Sequence, residues 1–228
     1  MSSISILRKT HIRICTALEE VAAGAERGMR SISLAVDITN YVMLELGQPL
    51  HAFDADVITG GLRVARANKF SKLVTLDKVE RKLSADNLLI CDTNSALALA
   101  GTMGGLASEV TSQTTKIALE AAHFDPISIA RNSRFHKLSS EASRRMERNT
   151  DPALTEIASA RAAQLLMDLA GAKYLGSSFA GLVIKPRKIK ISVEKVCELV
   201  GAKYTLKQVK DALILIGCKV NGSGSIIT

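Results

Sequence analysis

Five short apolar stretches, separated by turn-forming residues, follow one another between residues 62 and 122. They read LRVARA, KLVTL, NLLICD, ALALAG and KIALEAA, with Asp, Asn, Ser and Gly between them. Apolar runs of this length, bounded by such residues, are typical of β-strands. We therefore predict a sheet-rich core in the middle of the chain.

Helical and extended segments are predicted before this core. TALEEVAAGAERG has helical spacing and stops at Gly28, and SISLAV is predicted to be a buried strand. ITNYVMLELG is predicted to be a helix with Asp37 as its N-cap and Gly47 at its end, and Pro49 follows.

Helices are also predicted after the core. Short ones are expected over 126–148, followed by a long one with Asp151 as its cap, Pro152 in its first turn and Gly171 at its end. A run of strands between groups of helices predicts an α+β fold rather than a doubly wound sheet.

A second, smaller unit is predicted at the C-terminal end. GLVIKPRKIK, near 181–190, has the composition of a linker, and two short helices and the start of a strand follow it. The sequence stops in NGSGSIIT, which suggests a fragment of a longer chain. The predicted organisation is a lead-in segment over 1–27, a main domain over 28–180 and a partial small domain over 188–228.

The charge balance favours an anionic partner such as RNA. Lys and Arg outnumber Asp and Glu by 30 to 22, for a net charge of +8, although many basic domains have no such partner. Aromatic residues make up 4% and Trp is absent, so a base-stacking surface is not expected.

The strongest basic stretch is either a solvated helical face or a contact for RNA phosphates. It comprises Arg131, Arg134, Lys137, Arg144, Arg145 and Arg148.

Several functional classes lack their usual sequence features. The four cysteines are far apart, with no C-x-x-C pair and no nearby histidine at metal-ligand spacing, so we expect reduced, buried thiols in a cytoplasmic protein and no metal. No signal peptide, membrane span, phosphate-binding loop or nucleophile elbow is recognisable, and no cofactor is expected in this chain.

Two short motifs are candidates for a site. GQPLHAFD places His51 two positions after Pro49, which stiffens a predicted loop from which the imidazole could enter a pocket; the alternative is a histidine with only a structural role. GTMGG, at 101–105, is either a tight turn between strands or a place where the backbone approaches a ligand closely.

Five longer motifs resemble the beta subunits of bacterial phenylalanyl-tRNA synthetases. They are VDITNYVMLELGQPLHAFD, LSADNLLICD, LALAGTMGG, IALEAAHFDP and SSEASRRMERNTDPAL. Their order and spacing match that family over about residues 28–175, which form its editing domain. The segment from about 188 resembles the start of the winged-helix-like domain that follows.

The resemblance implies an editing site that hydrolyses tyrosine wrongly attached to the phenylalanine tRNA. His51 and Arg30 are the implied catalytic residues, and Glu120 is implied to recognise the tyrosine hydroxyl. The implied pocket residues are Thr39, Asn40, Gly104, Glu120, Ser140 and Ala142. Two positions depart from the family: Ser140 replaces a threonine, and RSIS replaces RPIN around Arg30.

The resemblance also implies the rest of an enzyme. In the family, the alpha subunit ligates phenylalanine to tRNA(Phe) with ATP and Mg²⁺, in a class II enzyme of two alpha and two beta chains. Two other functions remain open for this sequence. One is a free-standing deacylase, and the other is a non-catalytic module that binds RNA or supports an assembly.

Overall fold

The computed structural model describes residues 2–8, 32–181, 188–222 and 226–227. Six α-helices lie in that part of the chain: α1 (Leu34–Leu46), α2 (Pro126–Phe135), α3 (Glu141–Met146), α4 (Leu154–Ala170), α5 (Val193–Val200) and α6 (Leu206–Leu215). The strands there are β1 (Ser2–Arg8), β2 (Leu50–Asp54), β3 (Arg63–Arg66), β4 (Lys72–Val74), β5 (Glu80–Lys82), β6 (Leu88–Cys91), β7 (Ala96–Leu99), β8 (Met103–Gly104), β9 (Lys116–Ala122), β10 (Lys173–Ala180), β11 (Ile191–Ser192) and β12 (Ile226–Ile227).

The chain divides into two compact units, Met1–Ile184 and Lys185–Thr228. Strand β1 pairs with β9 and β10 inside the first unit, although residues 1–27 were expected to be a lead-in segment. In the second unit, the two predicted short helices are present, and β11 pairs with β12. The domain boundaries and the winged-helix-like character stay predictions.

An antiparallel sheet in the order β10-β1-β9-β2 forms the centre of the first unit. Because side chains alternate along a strand, β2 and β9 contribute to both faces. On one face, Ala52 and Leu119 pack against the buried sides of α1 and α4. On the other face, Phe53, Ala118 and Ala122 pack against β6, β7 and α2.

A second antiparallel sheet, in the order β3-β6-β7-β8, covers that other face. Its strands are short, and β6 and β7 are apolar and mostly buried, as the alternation of apolar and turn residues predicts. A small β4–β5 pair adjoins the sheet through a bridge between Thr75 and Gly105. The face of the central sheet that carries Phe53, Ala118 and Ala122 is therefore covered by the second sheet. The predicted α+β class is confirmed.

The prediction around the start of α1 was wrong. Residues 34–36 of the predicted strand SISLAV begin the helix, because the Ser33 hydroxyl accepts a hydrogen bond from the Val36 amide and acts as the N-cap. Asp37 lies in the first turn instead, where its carboxylate accepts from the Ile32 amide at 3.0 Å. The helix predicted up to Gly28 lies outside the described residues.

The C-terminal ends of α1 and α4 follow local sequence signals, whereas the start of α4 does not. Gly47 and Gly171 end α1 and α4 in the left-handed conformation, as predicted. The predicted start of α4 was wrong, because Ala153 is its N-cap and both Asp151 and Pro152 lie before the helix. The Asp151 side chain accepts from the Ala153 amide at 2.9 Å instead of capping the helix. None of the helices in the described ranges is long and apolar enough to span a membrane.

The cysteines differ in their exposure. Cys91 is buried, as expected, whereas Cys197 is half-buried and Cys218 is exposed, so the prediction of buried thiols was wrong for these two. Cys15 lies outside the described residues. Cys91, Cys197 and Cys218 are free thiols.

Candidate functional site

His51 and Glu120 face each other across two neighbouring strands. They are register partners in the antiparallel β2–β9 pair, so their side chains lie on the same face of the central sheet. That face is the one enclosed by the second sheet. His51 therefore lies on a strand, and the predicted loop at this position was wrong. The order of the strands brings together two residues 69 positions apart in the chain.

Gly104 packs directly against the imidazole of His51. A Cβ atom at position 104 would lie 2.5 Å from Cε1 and 2.6 Å from Nε2 of the ring. Such contacts are too short for any side chain, so glycine leaves the space that the imidazole occupies. The turn predicted for GTMGG is present at residues 101–102, after β7, and Gly104 then approaches the His51 side chain. Close approach of this backbone to a ligand stays a prediction.

The surroundings of His51 keep its ring neutral. The imidazole makes an edge-to-face contact with Phe53, with ring centroids 4.4 Å apart. Although the residue as a whole is half-buried, desolvation of the ring between Phe53 and Gly104 lowers the pKa of His51 from 6.5 to about 4. Near neutral pH, the imidazole can therefore accept a hydrogen bond through its free nitrogen.

Glu120 is a buried acid with an unused hydrogen-bonding atom. The residue is 7% exposed, and its Oε1 has no partner among the described residues. Burial raises the pKa of Glu120 from 4.5 to about 8, so the carboxyl is largely protonated at neutral pH. A buried polar atom without a partner is costly, and a ligand that hydrogen-bonds to it would remove that cost.

Glu120 should make the folding stability depend on pH. With a folded pKa of about 8 against an ordinary 4.5, the folded state binds more protons between these values, so stability falls as the pH rises. His51 has a folded pKa of about 4 against 6.5, which gives the opposite slope below pH 6.5 and offsets this loss there. The net loss therefore lies between about pH 6.5 and 8 and amounts to about 2 kcal/mol.

We expect Glu120→Gln to abolish this loss, because glutamine does not titrate. The measurement is urea unfolding of both proteins at pH 6.5 and pH 8. An equal loss of stability in the parent and the variant would show that Glu120 is not the titrating group.

Ser140 and Ala142 lie close to the turn that leads to Gly104. The Ser140 hydroxyl donates to the Thr102 carbonyl at 2.7 Å and accepts from the Ser143 amide at 3.0 Å, which caps α3. Ala142 is half-buried in the first turn of that helix. Their roles in a pocket stay predictions, and the hydroxyl of Ser140 is already used in these two bonds.

Thr39 and Asn40 lie on α1. This helix packs on the opposite face of the central sheet from His51 and Glu120, and the Thr39 hydroxyl donates to the Val36 carbonyl at 2.7 Å. Their pocket roles stay predictions. Arg30 lies outside the described residues.

Two side chains near the site were not predicted from the sequence. Phe53 contacts the His51 ring, and the period-two spacing of residues 51 and 53 would have indicated this contact had the segment been recognised as a strand. Gln48 is fully buried, and its Nε2 donates to the carbonyls of Pro49 and Ala122. The sequence carries no signal for the second of these bonds.

The basic residues divide into two groups. Arg144 and Arg145 both form ion pairs with Glu141. The remaining four are exposed and form no ion pair with another described residue: Arg131, Arg134, Lys137 and Arg148. Arg131 and Arg134 are one turn apart on α2. Within the described residues there is also no cluster of three His, Cys, Asp or Glu side chains that could hold a metal.

Comparisons with known proteins identify the family to which this chain is similar. A family model described as the B3/4 domain matches residues 18–171. The chain is 47% identical over 197 residues to the phenylalanine–tRNA ligase beta subunit of Cutibacterium acnes, an alignment that covers 86% of this chain and 24% of that protein. For the beta subunit of Leifsonia xyli the identity is 48% over 195 residues, with coverage of 85% and 23%.

The chain spans about a quarter of the length of these curated relatives. A crystal structure of an N-terminal fragment of the phenylalanyl-tRNA synthetase beta-subunit from Pyrococcus horikoshii aligns with 100% of this chain and 63% of that one, at 12% identity and a TM-score of 0.43. A similarity of that size supports no conclusion. The sequence comparisons confirm the predicted resemblance to these beta subunits.

Proposed function

The chain belongs to the B3/4 domain family, and from this premise we propose that it carries an editing site for aminoacyl-tRNA. The substrate is tyrosine wrongly esterified to the tRNA for phenylalanine, and the reaction is hydrolysis of that ester. One observation supports this most strongly: a buried carboxyl with an unpartnered oxygen, Glu120, stands opposite a neutral histidine, His51.

Glu120 supplies the discrimination in this proposal. Tyrosine differs from phenylalanine only by its phenolic hydroxyl, which donates a hydrogen bond to the free Oε1 of Glu120. Phenylalanine leaves that atom unpaired. Sites built to bind a substrate hydroxyl reject the analogue that lacks it by up to about 10⁴- to 10⁵-fold, so this one contact can separate the two esters.

His51 acts at the ester. Hydrolysis breaks the bond between the tyrosine carbonyl carbon and the ribose oxygen, water supplies the new carboxyl oxygen, and the ribose oxygen gains a proton. The neutral imidazole accepts a hydrogen bond from the attacking water and orients it. A base with a pKa of about 4 is too weak to hold a water proton at neutral pH, so orientation is its main contribution.

The rest of the enzyme belongs to the same proposal. The chain would act within a beta subunit that assembles with an alpha subunit, two of each, in the cytoplasm. The alpha subunit, of class II, would bind ATP and Mg²⁺ and ligate phenylalanine to tRNA(Phe). This chain would contribute ester hydrolysis and would not aminoacylate.

A deacylation assay tests the proposal. Tyr-tRNA(Phe) and Phe-tRNA(Phe) are incubated with the 228-residue chain alone, and with the full-length beta subunit assembled with its alpha subunit. We expect faster loss of tyrosine than of phenylalanine in the assembly. Equal activity of the chain alone would favour a free-standing deacylase. No hydrolysis in either sample would favour a non-catalytic module.

Arg131 and Arg134 are the proposed phosphate contacts, because they are exposed, have no ion-pair partner among the described residues and lie on one face of α2. Charge reversal of both to Glu should weaken tRNA binding by about tenfold at low salt and reduce the slope of log K against log salt by about 1 to 2. The control is Lys173→Glu on β10, at the opposite edge of the central sheet from β2. Because the control reverses one charge and the variant reverses two, a change in log K half as large in the control would indicate a non-specific charge effect.

A further inference from the structure

A proline occupies a hydrogen-bonding position of the strand pair that carries the site. The Ala55 amide donates to the Lys116 carbonyl at 2.9 Å, one register step beyond the end of β2. In an antiparallel pair, hydrogen-bonded positions alternate, so positions 53, 51 and 49 are also of this kind. The register places residue 49 opposite Ala122 and His51 opposite Glu120.

Pro49 has no amide hydrogen, so it cannot donate to the Ala122 carbonyl. The preceding side chain supplies the missing donor, because Gln48 Nε2 lies 2.9 Å from that carbonyl oxygen and 3.0 Å from the carbonyl of Pro49. Gln48 has no exposed surface. Its amide therefore takes the place of a backbone N–H in the interior of the protein.

The orientation of the Gln48 amide follows from its two partners. Both are carbonyl oxygens, which only accept, so the amide nitrogen must face them. This leaves Oε1 buried without a partner among the described residues. The protein thus tolerates one unpaired acceptor at Gln48 while the carbonyl of Ala122 is satisfied.

We propose that Gln48 is a positioning residue for the site: by donating to the Ala122 carbonyl in place of Pro49, it holds β2 against β9 at the end that carries His51 and Glu120. His51 is the next hydrogen-bonding position along β2. Loss of the Gln48 bond opens the pair from this end and changes the spacing of the two functional side chains. The effect on catalysis rests on the proposed function, whereas the effect on the strand pair does not.

Four proteins test this role: the parent, Gln48→Met, Pro49→Ala and the double variant. Methionine keeps the volume of Gln48 without its donor, and the alanine of Pro49→Ala restores the backbone N–H that proline lacks. The first measurement is hydrogen exchange of the His51 amide, with the Ala55 amide at the other end of the pair as the internal reference. The second is hydrolysis of Tyr-tRNA(Phe) by the full assembly.

In Gln48→Met, we expect exchange at His51 to accelerate by about tenfold and exchange at Ala55 to stay unchanged, with kcat lowered by about tenfold at constant KM. Pro49→Ala should behave like the parent, and the double variant should recover most of both effects. A double variant as impaired as Gln48→Met, or equal acceleration at Ala55, would overturn the proposal. If the parent hydrolyses nothing, the proposed function fails, and the exchange data still decide the role of Gln48.

Discussion

Replacing Glu120 by alanine should remove the preference of the site for tyrosine. The variant loses the acceptor for the phenolic hydroxyl, which then enters an apolar space without a partner. Leaving a buried polar group unpaired costs about 1 to 3 kcal/mol, or about 5- to 150-fold in the relative hydrolysis of the two esters. Phenylalanine never uses this bond, so its ester should be hydrolysed at least as fast as in the parent.

The measurement is the ratio of deacylation rates for Tyr-tRNA(Phe) and Phe-tRNA(Phe) in the full assembly. Glu109→Ala is the matched control, because Glu109 is an exposed glutamate outside the site. A parallel fall of both rates would mean that Glu120 supports the fold or the chemistry rather than specificity. Two unchanged rates would place Glu120 outside the pocket.

Replacing His51 by alanine should slow the hydrolysis of Tyr-tRNA(Phe) by about 100-fold, because the attacking water loses its hydrogen-bond acceptor. The packing of the imidazole against Gly104 and Phe53 adds a second effect, since alanine leaves a space beside them. His51→Leu separates the two effects, because leucine fills most of that space and has no hydrogen-bond acceptor.

Deacylation rates and urea unfolding are measured for both His51 variants, with His123→Ala as the control. His123 contacts Asn149 at 3.0 Å and takes no part in the proposed site. We expect His51→Leu to retain nearly the parent stability and to lose most of the activity. A fully active His51→Leu or His51→Ala would assign His51 a structural role.

Much of the fold depends on signals that lie within a few residues of one another. The strands between residues 62 and 122 show as short apolar runs, and Gly47 and Gly171 end their helices because glycine adopts the left-handed conformation without strain. The start of α1 was predicted wrongly because Ser33 and Asp37 are both good capping residues. The hydrogen bond from Val36 decides in favour of Ser33.

Strand β2 was missed because its evidence is not local. The strand has only five residues, which follow a proline and include a histidine and an aspartate. Such a segment carries little strand signal by itself. Their extended conformation depends on pairing with β9, more than 60 residues later in the sequence.

By itself, the sequence determined the α+β class, the C-terminal ends of α1 and α4 and, through its resemblance to a family, the identity of His51, Gly104 and Glu120 as candidates. Only the tertiary structure decided that these three meet between two sheets and that burial shifts the two pKa values in opposite directions. It also decided that a glutamine side chain replaces the N–H of Pro49. Register and burial arise from contacts between strands far apart in the chain, and no local pattern encodes them.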